Sequence, residues 1–383
     1  MKRLFLILFV LIASCGSDND TTITLDEVWS LDLEPDETSG AGNTGGYENP
    51  TLLLGEKLLV LFDENQLGLV SNQGELLQVY PELTGFLDQN TNFIKKDDQV
   101  LFNLSNSPTA NRNMQVYSFD VNSERLSLFK TISLADFNID SLNDGQYQLQ
   151  IGKNGLYGSN RLSLDPAKRG SIWLTKYTYE LEVLWSLEVD SNRSFDAELW
   201  EFFETADEGV IYYSGNKLGK LDVSGAAVWT LELGPILREY LGQGVFAVSE
   251  RFFESRGELV VAGDKFLMEG EQRPNESLDI LFLMKIDNGG NVVAFNTKGN
   301  LGFPNDRITI SRPLTASNGI TYFTFNDLQS LSVASTFLVQ DHGGQKLSSI
   351  ETSTLGSTYI QEFDNGDLLI STIDGSLTRY AIR

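Results

Sequence analysis

Histidine and cysteine are almost missing from this chain, with one of each in 383 residues. The lone histidine, His342, leaves a multi-histidine metal centre or a serine–histidine–aspartate relay without support. It sits in Asp341-His342-Gly343-Gly344 and reads as an exposed turn residue. The lone cysteine, Cys15, rules out an intrachain disulfide. Basic residues are also short, with 28 Lys and Arg against 53 Asp and Glu and a formal charge of −25. Such a surface repels phosphate backbones, so no nucleic-acid partner is expected. It repels anionic headgroups too, so membrane attachment requires a covalent anchor. The acidity serves solubility, or else recruits a cationic partner. No phosphate-cradling glycine loop and no EF-hand pattern occurs, and no cofactor or metal is expected. Nine prolines and 34 glycines place the chain outside the collagen-like and low-complexity classes.

Apolar residues are well supplied. At 41% of the chain, with 23 Phe, 13 Tyr and 5 Trp, they suffice for a large core. The first apolar run, Leu4 to Ile12, follows the basic Met1-Lys2-Arg3 and is too short to span a bilayer. Ile12-Ala13-Ser14-Cys15 then reads aliphatic, small, small, cysteine. This resembles the lipobox of bacterial lipoproteins. The resemblance implies a signal peptide over 1–14 and a chain beginning at a lipidated Cys15. Residues 15–23 would form a tether, and 24–383 the folded domain. Gly16, rather than Asp, follows the cysteine. In that family this favours the outer membrane, on its periplasmic or cell-surface side. Two or three acyl chains give stable anchoring.

Beyond the tether the chain repeats itself. Leu221-Asp222-Val223-Ser224-Gly225-Ala226-Ala227-Val228-Trp229 reads as a strand end, a tight turn and a second strand of period two. Its frame places a turn-starting residue, then Gly three later, then a strand position four beyond. Asp222, Gly225 and Trp229 define it. Asp287/Gly290/Ala294, Asp341/Gly344/Ser348 and Ser71/Gly74/Gln78 follow it. Asp120/Ser123/Ser127 fits with Ser for Gly, and Thr178/Leu181/Trp185 fits by spacing. A second set of turns interleaves with the first, at Gly55, Asp97, Asn154, Glu208, Gly257, Asn318 and Asn365. Seven units of four strands, A to D, account for both sets.

Strand C of the seventh unit, Ser376 to Arg383, lies at the end of the sequence without a D strand. Glu27 to Leu33 is a D strand with no A, B or C before it. Pairing the two closes a ring and removes a free edge. The fold expected is all-β: a seven-bladed β-propeller of four-stranded antiparallel blades, the N-terminal strand completing the last. The repeats resemble degenerate quinoprotein-like and WD-type blades. They space the Asp three residues before the Gly rather than four, and no Gly-His…Trp-Asp signature is present. The resemblance therefore implies architecture and no functional residue. Two stacked β-sandwiches are the competing arrangement. The strand tryptophans read as core filling.

This strand order puts A–B and C–D turns on one face and B–C and D–A connections on the other. All the long insertions fall on the second face, which is where binding is expected. Candidate ligand-binding residues there are Tyr47, Arg112, Arg161, Trp200, Arg238, Tyr240, Arg273 and Arg307, with Arg169 and Asp306 beside them. Carboxylates are the one catalytic type in supply. Glu201 and Glu204, in strand A of the fourth unit, are candidates for a paired-carboxylate hydrolase or lyase acting on carbohydrate. Asn103-Leu104-Ser105 matches a glycosylation sequon. The function expected is a lipid-anchored, non-enzymatic binding or scaffolding module for a protein or glycan. A carbohydrate-active enzyme and a subunit of an outer-membrane assembly complex are the alternatives.

Overall fold

Strand after strand alternates buried and exposed residues, because each outer strand has only one face to bury. In Ala227–Glu232, Trp229 and Leu231 are half-buried while Val228, Thr230 and Glu232 are exposed. Inner strands bury both faces, and in Lys57–Phe62 every residue after Lys57 is buried. Their unbroken apolar runs follow from that.

The computed structural model describes residues 25–33, 50–62, 66–80, 83–84, 92–105, 113–133, 148–160, 172–190, 199–214, 217–241, 245–255, 258–267, 280–299, 308–310, 314–327, 334–340, 347–355, 357–372 and 376–383. Among these are seven antiparallel sheets. The first holds Thr51–Leu54, Lys57–Phe62, Gln66–Ser71 and Leu76–Tyr80 as strands A to D, and the next five repeat that order along the chain. In the sixth, strand A is split into Ile308–Ile310 and Leu314–Thr315, both paired to Thr321–Asp327. The seventh takes A, B and C from Ser357–Glu362, Leu368–Thr372 and Leu377–Ile382, and D from Leu25–Leu31. The N-terminal strand thus completes the last sheet, in the register Leu25 opposite Ile382 and Leu31 opposite Leu377. It lies two residues earlier than the sequence pattern suggests, although Leu33 is still buried.

The core lies in the seams between sheets. Leu59, Leu61 and Leu69 of the first sheet pack with Phe102, Tyr117 and Phe119 of the second. Leu101 and Val116 of the second meet Leu149 and Ile151 of the third. The series runs round to Leu369 and Leu377 of the seventh, which meet Leu58 and Val60 of the first. The ring is closed by packing as well as by strand pairing. The Gln361 side chain adds a polar clasp to this seam. Its Oε1 accepts from Leu53 N–H at 3.0 Å, and its Nε2 donates to Thr51 Oγ1 at 2.9 Å.

The repeat frame has a physical basis at the C–D turns of the first, third, fourth and fifth sheets. Asp222 Oδ1 accepts from the backbone N–H of Ser224 and Ala226, at 2.8 and 2.9 Å. Asp287 does the same for Gly289 and Asn291, and Ser71 and Thr178 supply a hydroxyl in the same place. A short acceptor at the turn start stands in for missing strand partners. In these turns the third residue on takes positive φ, as Gly74, Gly225 and Gly290 do at +79°, +82° and +82°, whereas in the second sheet it is the fourth, Glu124, at +52°. Leu181 occupies that position in the third sheet and adopts φ +69°, held by the same N–H to Thr178 carbonyl bond.

These bonds hold the carboxyls of Asp222, Asp287 and Asp120 below the usual range. The leading contributors are the Ser224 hydroxyl, the Asn291 N–H and the Ser123 N–H respectively. A carboxyl depressed in the folded state adds stability above its unfolded value of about 3.9. That stability is lost as pH falls through the lower folded value. Melting temperatures should therefore drop on acidification below about pH 4. The slope should be shallower in an Asp222→Asn, Asp287→Asn variant, which a melting series from pH 6 to 3 would measure.

The tryptophans do more than fill the core. Trp29, Trp185 and Trp229 each lie over the turn glycine of the next sheet. A methyl group on Gly74, Gly225 or Gly290 would sit 2.7, 2.6 or 2.7 Å from the corresponding indole. Trp29 Nε1 donates to Asn72 O at 2.9 Å, and Trp185 Nε1 to Val223 O at 3.1 Å. The pairing accounts for Trp29, Trp185 and Trp229, although Ala294 stands at the same position before Gly344. Where the next turn has Ser123 or Leu181 instead of Gly, the outer strand has Gln78 or Ser127. A flat ring can close on a turn only when that turn has no Cβ.

A cation stands opposite each of these tryptophans on strand C: Lys176, Lys220 and Arg379. Arg379 binds Asp367 of its own A–B turn at 2.6 Å and Asn72 O of the next sheet at 2.8 Å. Lys220 bridges likewise, to Asp207 at 2.9 Å and Asn288 Oδ1 at 3.4 Å. Burial raises the Asp207 carboxyl, but its bonds with Lys220 and Thr205 outweigh this and leave it lowered.

Candidate functional site

Connection length divides the two faces of the ring. Every A–B and C–D turn spans two to six residues, whereas connections on the other face reach 19, between Leu31 and Thr51. The short-turn face is also where the Trp–Gly contacts and cation bridges lie, so many of its side chains hold sheets together. Glu204 shows this at a residue considered for catalysis. It ends strand A of the fourth sheet and reaches back to the third. There it accepts from Lys153 N–H at 2.6 Å and Tyr157 Oη at 2.8 Å, with Lys176 Nζ 3.9 Å away. Burial, then the Glu204 charge, pushes the Tyr157 hydroxyl far up, so it stays a donor. Glu204 is thus a seam residue, its carboxylate engaged by donors of the third sheet. Glu204→Gln keeps the shape but gives up charge-assisted bonds to two buried donors. It should cost about 1–2 kcal/mol by chemical denaturation. Glu362 plays the same part in the seventh sheet, accepting from Ser317 N–H at 2.7 Å.

On the long-loop face, the connection between the fourth and fifth sheets is a helix, Leu233–Leu241, where the sequence pattern suggests a loop. Pro235 lies in its first turn, where proline is tolerated. Leu233 and Leu237 are buried, with Ile236 beside them, against the seam between the two sheets. Their spacing is that of one helical face. The helix presents Arg238 and Tyr240 to solvent. The Tyr240 ring stacks on Phe295 at 4.4 Å and 10°, and Phe295 stacks in turn on Phe282 at 5.6 Å. Two buried or half-buried rings thus hold an exposed aromatic flat on this face. Stacking partners of that kind suit the apolar face of a sugar or an aromatic side chain.

Trp200 lies in strand Leu199–Glu204 as the extra residue of a bulge, since Leu199 pairs with Ser214 and Glu201 with Tyr213. Tyr47, Arg112, Arg161, Arg169, Arg273, Asp306 and Arg307 fall outside the described residues, as do Cys15 and His342. So Arg238 and Tyr240 are the two predicted residues that the structure places together. A further connection on this face is pinned at Leu83, which is buried, and at Thr84, whose N–H donates to Tyr117 Oη at 3.0 Å. Asn103, in the sequon, is fully buried within strand Gln99–Ser105 and inaccessible to a glycan. Among the described residues no group of three His, Cys, Asp or Glu side chains is arranged to hold a metal ion. None of the described helices is long and apolar enough to cross a membrane.

No protein-family model matches the sequence, and no curated protein matches it. Solved structures do match by shape. The WD40 β-propeller domain of Doa1 gives a TM-score of 0.52 at 9% identity, over 93% of this chain and 97% of that one. The β-propeller domain of Cps50 (Swd1) from Myceliophteria thermophila gives 0.53 at 10% identity, over 88% and 97%. BamB from Moraxella catarrhalis aligns over 93% and 99% at 12% identity, with a TM-score of 0.45. By its seven sheets, and by its likeness to the first two of these structures, the fold of the chain is a β-propeller.

Proposed function

We propose that the chain is a lipid-anchored envelope propeller that binds or scaffolds a protein or glycan through its long-loop face, without catalysing a reaction. The observation that carries this is the asymmetry of the ring. Connections of two to six residues on one face are locked between sheets, and all the length to spare lies on the other. Long connections are costly to order unless they pack or bind. Arg238 and Tyr240, presented on a rigid helix, are the contacts the structure supports best. Cys15 supplies the anchor on the evidence of its lipobox, and Gly16 directs it to the outer membrane.

Two measurements test this reading. Metabolic labelling with a fatty-acid analogue should mark the wild type and not Cys15→Ala; equal labelling of both would end the anchor proposal. Arg238→Glu with Tyr240→Ala should reduce recovery of cross-linked partner from the native envelope at least fivefold, with the melting temperature little changed. Undiminished recovery would remove this part of the face from the binding surface.

A further inference from the structure

Strand pairing is regular inside every sheet and broken at every outer edge. Over the described residues, strands B and C pair without a register shift in all seven sheets. Strands C and D pair with a shift in all seven. In five of them the shift falls at the same step, where one extra residue of strand D bulges out of the pairing. These residues are Leu77, Leu184, Val228, Val293 and Val28. In the second sheet the extra residue is Phe129, and in the sixth the shift lies between Ala334 and Thr336.

Two local causes fail to account for this array. The C–D turn does not impose it, because strands C and D of the seventh sheet come from opposite ends of the sequence and the bulge at Val28 is there all the same. Tryptophan docking does not require it, because Gln78 and Ala294 follow the bulges of the first and fifth sheets. What the seven strands share is their place. Each is the last in its sheet, and no described strand pairs with its outer side. An unbroken strand in that position is a template for another strand. Here it would be an apolar template, since Leu76, Leu77, Leu128, Phe129, Val183 and Leu184 are 42% to 61% exposed. A bulge bends and twists its strand and puts the outward N–H and C=O groups out of step with those of a partner.

We infer that the bulges close the rim of the ring to strand addition, so that copies of the chain meeting edge to edge do not join into one continuous sheet. Deleting Val228 tests this, because the pairs on either side, Leu221 with Ala227 and Lys220 with Trp229, then form one regular ladder. Deleting Leu184 does the same between Tyr177–Val183 and Lys176–Trp185. Sedimentation equilibrium of the full chain in density-matched detergent counts the copies. The wild type should sediment as one copy, and so should Val228→Ser, which keeps the bulge. Either deletion should about double the mean mass at the same concentration while the chain still melts cooperatively. Adding Thr230→Lys, at an exposed position of the same strand, should return the Val228 deletion to one copy. A wild type that associates, or deletions that melt cooperatively and stay single, overturn the inference. So does association that Thr230→Lys leaves in place, or loss of cooperative melting in both deletions, since the bulges then serve the fold of their own strands.

Discussion

Deleting residues 25–31 should leave a protein that no longer melts cooperatively, or one that melts at least 10 °C lower. The seventh sheet would end at Leu377–Ile382 with an unpaired edge. Trp29 would vanish from Gly74, and Asn72 O would lose one of its two donors, keeping only Arg379. Leu31 would leave the apolar cluster that joins the first and seventh sheets. A Trp lost from a packed site costs about 3–5 kcal/mol when fully buried, and the lost strand pairing about 1 kcal/mol per hydrogen bond. Together these rival the whole stability of an ordinary domain, which is about 5–15 kcal/mol. The ring also makes the damage non-local, because opening one seam exposes both of its faces. Calorimetry of the truncated chain checks this, and an unaltered melting temperature would mean that the strand is dispensable to closure.

Gly225→Ala should cost about 2–4 kcal/mol, whereas Gly366→Ala should cost about 1. Both glycines have positive φ, +82° and +88°, so the backbone penalty is shared. They differ in what a Cβ meets. At Gly366 nothing lies within 4 Å, and at Gly225 the Trp185 ring is 2.6 Å away. The indole would have to lift from the turn and give up its bond to Val223 O. The difference between the two variants, read from denaturant midpoints, isolates the docking of one sheet on the next. Equal costs would reduce the tryptophan to a bystander.

Much of this architecture is legible in the sequence because it is local. Strands Lys217–Leu221 and Ile280–Ile286 fall where the turn chemistry brackets them, since an Asp and a Gly three residues apart can do little else between two apolar runs. Ring closure is legible as well. A D strand around Trp29 without its sheet, and a C strand near Arg383 without a D, answer each other. What the sequence hides is tertiary. The tryptophans look like core filling because their glycines lie in the next repeat, 40 residues away for Trp185, 61 for Trp229 and 45 for Trp29. The bridging role of Lys220 and Arg379 is hidden for the same reason. The helix Leu233–Leu241 is hidden by Gly234-Pro235, which reads as loop chemistry, although Leu233, Ile236, Leu237 and Tyr240 already stand at helical spacing. Glu204 reads as a possible acid because a carboxylate in a strand looks alike whether it faces a channel or a neighbour's backbone. The candidate site is the least legible part, since it is built from the connections and these follow no repeat.

The division of labour between the two faces is tested most directly by photo-cross-linking in the native envelope. A photoreactive residue replaces Arg238 on the long-loop face in one strain and Val223 on the short-turn face in another. The account predicts discrete cross-linked protein or glycan species from position 238, and none from position 223. Protein species from 223, with none from 238, would contradict it.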